Sequence, residues 1–450
     1  MLASWGDPSN WRRVTYIYDN GVKGRRYTFS STLALAEILG IKYCNTVIFL
    51  ATSLFTKSKF DINNNNKDII DYFDYIKGKV REYVLEQINN KHGNVNPDLV
   101  VVPSIGYFKN NDINFVFKGS AETYLTSIYY HILGILQKRN NNSNNNGKEV
   151  EIHLDTTHGV NYMPLMCKEA VELAANTYAV ITGKRVRVII YNSDPIYPIP
   201  RDDDPDTKLN INKTYEITYN GYKSLEELLL KFALDYNINK NFYTNNLARY
   251  INFKNELEEI EKLSKAVSAG ILLLLPYYKD KLIKYKAELE KQLADSSRRC
   301  ELKEEDGKIV IEHAVSSYRI ALLHSVLTTL VSIRLDICKE DWIGISLRSL
   351  KENLRYYYEG TLDSVYSIVS AELDKLKGMS DELTNDYKLY GVIKYGDKFD
   401  KSKEGKSDRR TLYAHGGLEE NVTFLKKADN DDNNILISYG NYLNEVFNQI

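Results

Sequence analysis

The sequence predicts an α/β domain with a parallel-rich sheet, followed by an all-α domain. Up to residue 200, short apolar runs alternate with amphipathic stretches, which is typical of parallel strands covered by helices on both faces. A charged, proline-containing segment at 201–206 then ends this alternation. After it, nearly every pattern has the helical period, which favours a helical second half.

Four strands and four helices are predicted in the α/β part. Apolar runs of strand length predict the strands at 46–51, 99–103, 150–155 and 185–191. Apolar residues at helical spacing predict the helices at 32–39, 69–87, 121–137 and 163–182. The asparagine tracts 63–66 and 140–146 are expected to be solvated loops.

The later elements are mostly helices. A short strand is predicted at 214–219. Helices are predicted at 225–236, 256–275, 277–293, 309–335, 345–358, 361–377, 409–427 and 434–447. A loop rich in Gly, Lys, Asp and Ser is expected at 394–408.

Composition narrows the class of protein. The chain has 450 residues, of which 43% are hydrophobic and 26% charged, and its formal net charge is −1. These values are typical of a globular protein and argue against a polybasic nucleic-acid binder, so any nucleic-acid site must be local. The four cysteines have no CxxC spacing, which indicates neither a zinc site nor a disulfide framework. With no signal peptide and no long apolar run, we expect a cytoplasmic protein without membrane association.

Small polar loops follow the predicted strands. Loops at the carboxyl ends of parallel strands, next to helix N-termini, are where α/β sheets bind ligands. The candidate ligand-binding residues are Trp5, Gly6, Asp7, Pro8, Trp11, Ser30, Ser31, Thr32, Thr52, Ser104, Asp155, Thr156, Thr157, His158, Gly159, Asn161 and Tyr162. None of these loops has a dinucleotide glycine fingerprint or a Walker A pattern. A ring of hydroxyl and amide groups favours a nucleotide sensor, whereas ordinary turns and helix caps are the alternative for any single loop.

An arginine and a histidine separated by four residues occur twice. Histidine can transfer protons near neutral pH, and arginine can bind a phosphate, so the pair suits phosphodiester cleavage. Arg319 and His324 lie in an apolar helical stretch, which predicts a core histidine. Arg410 and His415 follow a polar loop and precede two glycines, which favours an accessible site. A surface cap with an ion pair is the alternative for this second match.

Together these regions resemble the CARF–HEPN ribonucleases, ancillary effectors of type III CRISPR systems. The segment 155–164 is similar to the Asp-x-Thr-His-Gly signature of the Rossmann-like CARF domain, and Trp5–Pro8 is similar to its first loop. Arg410 and His415 match the HEPN pattern Arg-x(4–6)-His, although Thr411 stands where asparagine is common and Arg409 also fits the spacing. The resemblance implies a CARF ligand-sensing domain at 1–205, a helical linker or first HEPN helices at 206–305, and a HEPN ribonuclease domain at 306–450.

The resemblance also implies a mechanism. A cyclic oligoadenylate, with cyclic tetra-adenylate as the expected ring, would bind across the CARF domains of a homodimer or higher homo-oligomer and activate cleavage of single-stranded RNA. His415 and Arg410, with Arg409 and Thr411 beside them, would promote attack by the 2′-hydroxyl, leaving a 2′,3′-cyclic phosphate without a metal or cofactor. The alternatives are a nucleotide-sensing regulator that binds nucleic acid without cutting it, or a CARF-linked nuclease of another type.

Overall fold

The computed structural model describes residues 1–58, 72–110, 113–142, 149–196, 200–246, 256–298, 300–313, 316–339, 342–359, 363–428 and 431–450. They form two compact units. The first comprises Met1–Tyr178, Lys184–Tyr219 and Lys291–Ala321, and the second comprises Ala179–Gly183, Asn220–Glu290 and Leu322–Ile450. The asparagine tract 63–66, the start of the predicted helix 69–87, residues 143–146 and residues 361–362 lie outside the described ranges.

The elements are numbered in chain order. The strands are β1 Leu2–Trp5, β2 Val14–Asn20, β3 Val22–Thr28, β4 Val47–Ala51, β5 Asp98–Val102, β6 Gly106–Asn110, β7 Ile113–Lys118, β8 Glu149–Asp155, β9 Arg185–Ser193, β10 Asp204–Tyr219, β11 Cys300–Glu305, β12 Lys308–His313, β13 Ile337–Lys339, β14 Ile343–Ser346, β15 Lys388–Leu389, β16 Phe424–Ala428 and β17 Asp431–Ser438. The helices are α1 Ser31–Ile38, α2 Tyr72–His92, α3 Ala121–Asn142, α4 Met163–Thr182, α5 Gly221–Ile238, α6 Glu256–Ser268, α7 Leu275–Arg298, α8 Tyr318–Ser332, α9 Leu347–Tyr358, α10 Asp363–Lys377, α11 Tyr390–Tyr395, α12 Arg409–Ala414 and α13 Leu443–Gln449.

The main sheet of the first unit confirms the predicted parallel-rich α/β architecture. Its strand order is β3-β2-β10-β9-β8-β1-β4-β5. The neighbours β9, β8, β1, β4 and β5 are all parallel, with β1 between β8 and β4. Parallel strands end at the same edge of a sheet, so the loops after β1, β4, β5 and β8 share one rim.

Burial explains why these strands could be predicted from the sequence. Every residue of β1 and β4 is buried, as expected for strands of a sheet covered on both faces. Helix α2 packs into the core that contains these strands through Ile76, Val80, Val84 and Ile88, which are fully buried and four residues apart. Residues at this spacing lie on one face of a helix.

A second sheet in the first unit was not predicted. Its strand order is β11-β12-β7-β6, with β12 parallel to β7. The helix predicted at 309–335 is therefore wrong in its first part, since β12 ends at His313 and α8 begins at Tyr318. The turn between β11 and β12 is Asp306-Gly307, where both residues have positive φ (50° and 71°). Such a two-residue turn closes a hairpin, which explains the strand.

The second unit is mainly helical, but the all-α prediction is wrong because the unit contains a five-stranded sheet of order β13-β14-β17-β16-β15. The helix predicted at 409–427 is the short α12 followed by β16, and the helix predicted at 434–447 begins as β17. Gly416 and Gly417 have φ of 56° and 85°, which ends the helix after His415. Ile435 and Ile437, two residues apart in β17, are both buried. None of the helices in the described ranges is long and apolar enough to cross a membrane.

Candidate functional sites

Asp155, at the end of β8, connects three segments of the rim. Its Oδ2 accepts hydrogen bonds from the Ser31 hydroxyl (2.6 Å) and the Thr32 hydroxyl (2.7 Å). Its Oδ1 accepts from the amide (3.0 Å) and the hydroxyl (2.6 Å) of Thr157. Asp155 is only 1% exposed. Because protein groups occupy both carboxylate oxygens, the role of Asp155 is to hold the loop in shape.

His158 joins the same three segments from the other side. Its Nε2 accepts a hydrogen bond from the Ser31 amide (3.0 Å), and its ring stacks on Trp11 with centroids 4.0 Å apart. Burial lowers the pKa of His158 to about 4, so the imidazole is neutral near pH 7. Since Nε2 is an acceptor, the ring proton lies on Nδ1. Trp5 completes the cluster by donating from Nε1 to the Thr32 hydroxyl (3.0 Å).

Two glycines, Gly159 after β8 and Gly6 after β1, lie so close to other groups that a side chain would not fit. A Cβ on Gly159 would lie 2.7 Å from the Ser4 hydroxyl, and a Cβ on Gly6 would overlap Val160. The Gly6 amide also donates to the His158 carbonyl (2.8 Å). Asn161 is different, because it is exposed and has a positive φ of 52°. Its side chain is therefore free to meet a ligand, and its backbone conformation suits Asn or Gly.

The N-terminal loop is held in place before any ligand binds. Asp7 caps the short 3-10 helix Pro8–Asn10 and accepts a hydrogen bond from the Tyr83 hydroxyl (2.6 Å). The Lys91 ammonium donates to the carbonyls of Pro8, Ser9 and Trp11 at 2.7–2.9 Å. A loop fixed in this way needs little reordering on binding.

Several other predicted residues are turned inward. Thr52 and Ser104 are buried, and the Thr52 hydroxyl lies 2.9 Å from the Ser104 hydroxyl and 3.0 Å from Nε2 of His313. Sequence reasoning missed His313, which the unpredicted strand β12 supplies. The Thr156 hydroxyl donates to the carbonyl of Tyr191 (2.8 Å). These three predicted residues thus have structural partners instead of facing the rim.

Ser30 and Tyr162 lie at the margins of the rim. Ser30 precedes α1 as its N-cap residue without forming a side-chain cap bond, and its hydroxyl is buried. The Tyr162 hydroxyl accepts a hydrogen bond from the Ile105 amide (3.2 Å), which connects the loop after β8 to the loop after β5.

In the second unit, α12 positions the Arg–His pair. Asp408 caps this helix by accepting from the Thr411 amide (3.1 Å), which leaves Arg409 and Arg410 exposed in its first turn. His415 follows the last helical residue as the C-cap. The Arg409 guanidinium lies 5.8 Å from the ring centroid of Tyr413. Arg410 has no such aromatic neighbour in the described part of the chain, so its guanidinium is the freer of the two.

A carboxylate that sequence reasoning missed lies beneath His415. Nδ1 of His415 is 3.2 Å from Oε1 of Glu372, on α10. The Glu372 side chain is 10% exposed, whereas that of His415 is 41% exposed. Oε1 of Glu372 also accepts from the Lys375 ammonium (2.6 Å). A carboxylate at Nδ1 fixes the ring so that Nε2 is the accessible nitrogen, which is the arrangement a general base needs.

The two glycines after His415 anchor the turn. A Cβ on Gly416 would overlap Val369, one turn before Glu372 on α10. The Tyr439 hydroxyl donates to the Gly417 carbonyl (2.8 Å), and Leu412 is fully buried. The imidazole is therefore presented by backbone that is packed against α10.

The other Arg–His match is a core feature, as predicted. His324 is 2% exposed, and its Nε2 lies 3.3 Å from Oε1 of Glu290. Burial lowers the pKa of His324. Within the described residues, no group of three or more His, Cys, Asp or Glu could hold a metal ion.

Two family models match separate parts of the chain. The family model described as "CRISPR system endoribonuclease Csx1, CARF domain" matches residues 1–195, and that described as "CRISPR system endoribonuclease Csx1, HEPN domain" matches residues 362–442. These matches contain the rim and the Arg410–His415 pair, respectively. The chain belongs to the CARF–HEPN ribonuclease family of CRISPR systems. It is 24% identical over 440 residues to the CRISPR system endoribonuclease Csx1 of Methanocaldococcus jannaschii, covering 94% of this chain and 85% of that protein.

Proposed function

We propose that this protein is an endoribonuclease of CRISPR antiviral defence that a cyclic oligoadenylate activates to cut single-stranded RNA. Cyclic tetra-adenylate is the first activator to test. The observation that carries the proposal is the His415–Glu372 contact of 3.2 Å, in the turn that begins five positions after the exposed Arg410. A histidine close to a buried carboxylate, with an exposed guanidinium in the same helix–turn segment, supplies the groups that acid–base cleavage of a phosphodiester needs.

The cleavage step follows from the roles of these groups. Nε2 of His415 takes the proton of the ribose 2′-hydroxyl as the 2′-oxygen forms a bond to the adjacent phosphorus. The bond from phosphorus to the 5′-oxygen breaks, and that oxygen takes a proton from an imidazolium. The guanidinium of Arg410 binds the phosphoryl oxygens, on which charge increases during the reaction. The products are a 2′,3′-cyclic phosphate and a 5′-hydroxyl, and the step uses no metal ion.

The proposed working form is a homodimer or a higher oligomer. His415 is five positions after Arg410, which corresponds to about 140° around a helix, so one copy encloses a phosphate poorly. A two-fold axis brings identical patches together and would supply a second Arg–His pair. The second histidine could donate the proton to the leaving 5′-oxygen.

The rim of the first unit is the proposed activator site. Asp155 and His158 hold the loop in shape, while the exposed Asn161 offers an amide to an adenosine or a phosphate. The activator must bind the cleaving conformation more tightly than the resting one, because equal affinity for both shifts no equilibrium.

The decisive experiment is a cleavage assay on labelled single-stranded RNA in EDTA, with and without cyclic tetra- or hexa-adenylate. We expect activator-dependent cleavage by the wild type, and a loss of about 10²–10⁴ in rate for His415→Ala and Arg410→Ala. His324→Ala is the control, since that core histidine should affect stability more than chemistry. RNA that is bound but never cut by the wild type would favour a regulator without nuclease activity.

A further inference from the structure

We propose that a basic strip, defined as Lys398, Lys401, Lys403 and Lys406, binds backbone phosphates of the RNA that enters the Arg410–His415 centre. This inference rests on the proposed function and names the surface that positions its substrate.

The local charge differs from that of the whole chain. The protein carries a formal net charge of −1, yet residues 398–410 contain six cations and three carboxylates. The cations are the four lysines of the basic strip together with Arg409 and Arg410. All four lysines are exposed, and none forms an ion pair with any residue in the described ranges. Their ammonium groups are therefore available to an anionic partner.

The carboxylates of the same segment are engaged by protein groups. Asp400 accepts a hydrogen bond from the Ser402 amide (3.0 Å), and Asp408 accepts from the Thr411 amide (3.1 Å). Glu404 accepts from the Tyr442 hydroxyl (2.9 Å). These contacts occupy one oxygen of each carboxylate, although all three acidic residues remain exposed. With six cations against three partly engaged carboxylates, the segment keeps an excess of positive charge.

The basic strip has a defined shape. The Gly405 amide donates to the Asn421 carbonyl (2.9 Å), and a Cβ on Gly405, whose φ is 71°, would lie 2.7 Å from Tyr442. The Ser407 hydroxyl donates to the buried carboxylate of Glu419 (2.7 Å). A segment pinned at these points loses little backbone freedom when RNA binds, which favours affinity.

The chain direction connects the basic strip to the cleavage centre. Lys406 is three residues before Arg409, and α12 follows directly. Three residues span at most about 10 Å. Phosphates on one side of the scissile bond can thus contact the lysines while the reacting phosphate contacts Arg410.

Salt dependence is the specific readout of such contacts. Each phosphate contact on a single strand contributes about −0.7 to the slope of log binding constant against log salt. Removing three lysines should make the slope about 2 less steep. A loss of stability alone would not change this slope.

The test compares two triple variants. The first is Lys401→Gln/Lys403→Gln/Lys406→Gln. The matched control is Lys42→Gln/Lys284→Gln/Lys388→Gln, which removes the same charge from exposed lysines elsewhere. We expect the first variant to raise KM for long RNA at least tenfold, with kcat at saturating RNA within twofold of wild type and a flatter salt slope between about 50 and 200 mM. On a dinucleotide substrate, which lacks flanking phosphates, both variants should match the wild type.

Direct RNA binding separates the two proposals. The two triple variants are each combined with His415→Ala, and their binding to labelled RNA is measured by fluorescence anisotropy. If only the variant with substitutions in the basic strip binds RNA more weakly, the basic strip is supported, even if the wild type never cuts RNA and the nuclease proposal fails. Equal affinity, KM and salt slope for the two triples would overturn the basic strip while leaving activated cleavage by the wild type intact.

Discussion

Replacing Glu372 with glutamine tests the orientation of His415 most directly. The amide keeps the shape of the side chain, so its packing near Val369 and Gly416 is preserved. It removes the negative charge that lies 3.2 Å from Nδ1 of His415. The ring then loses its contact with a carboxylate, and the amide can offer either an oxygen or an NH₂ group to Nδ1.

An upper limit can be set on the loss of kcat in Glu372→Gln. At an effective dielectric constant of about 20, a full charge pair at this distance is worth roughly 5 kcal/mol, which is an upper limit. Solvent at the half-exposed imidazole and the Lys375 ammonium, 2.6 Å from the same carboxylate oxygen, reduce it. A hydrogen bond to a charged group contributes about 1.5–3 kcal/mol, and we take the lower end. Since about 1.4 kcal/mol corresponds to a factor of ten, we expect kcat to fall roughly tenfold.

Single-turnover cleavage at saturating activator gives the measurement. KM should stay within twofold in Glu372→Gln, because the carboxylate orients the ring and does not touch RNA. Lys375→Gln is the matched control, which removes the competing cation and should leave kcat unchanged or slightly higher. A Glu372→Gln variant with wild-type kcat, beside an inactive His415→Ala, would refute the orienting role.

Three further predictions concern the rim, the core and the assembly. Asn161→Gly should weaken activator binding in calorimetry without lowering thermal stability, because glycine accepts a φ of 52°. Gly159→Ala should lower the melting temperature, because its Cβ would clash with the Pro164 ring and the Ser4 hydroxyl. Burial lowers the pKa of His313 to about 4. As pH falls from 6.5 toward 4, this histidine is therefore protonated in the unfolded chain but not in the folded one, and the free energy of unfolding decreases. In denaturant titrations between pH 7 and 5, the free energy of unfolding of His313→Gln should fall by about 2 kcal/mol less than that of the wild type, and an equal fall would contradict a neutral buried His313. Mixing the His415→Ala variant with the wild type should reduce cleavage more than adding the same volume of buffer does, because mixed dimers contain an inactive subunit. A reduction equal to that of the buffer control would argue against a cleavage centre shared between two subunits.

The parallel sheet could be predicted from two different signals. The strand 46–51 was found within a residue because it is apolar and buried throughout. The strand 150–155 was found because Val150, Ile152 and Leu154 alternate with polar residues and end at a polar loop. Strands β2 and β3 were missed because much of their sequence is polar: β2 ends in the exposed Asp19 and Asn20, and six of the seven residues of β3 are not buried. Among the predicted rim residues, Thr52, Thr156 and Ser104 have structural partners, because loop sequence does not specify which hydroxyl finds a partner inside the protein.

The helical half shows a different limit. The helix predicted at 409–427 ignored the two glycines with positive φ, which end α12 and let β16 form. Glu372 could not be recognised as a partner of His415, because 43 residues separate them and a glutamate three residues before a lysine is common on helix surfaces. Only the packing of α10 against the turn after His415 brings the two together.

The bonds at Asp155 have a consequence for how the protein folds. They reach Ser31 and Thr32 across 124 and 123 residues of chain, and β1 lies between β4 and β8, whose residues pair with Leu2 from positions 47 and 154. Contacts between such distant segments form late, since closing long loops opposes them entropically. On the ribosome, the first strand must therefore wait with an open edge until β8 has emerged. The rim is assembled only after a third of the chain has been synthesised, and an interrupted chain would expose an unpaired apolar strand that favours aggregation.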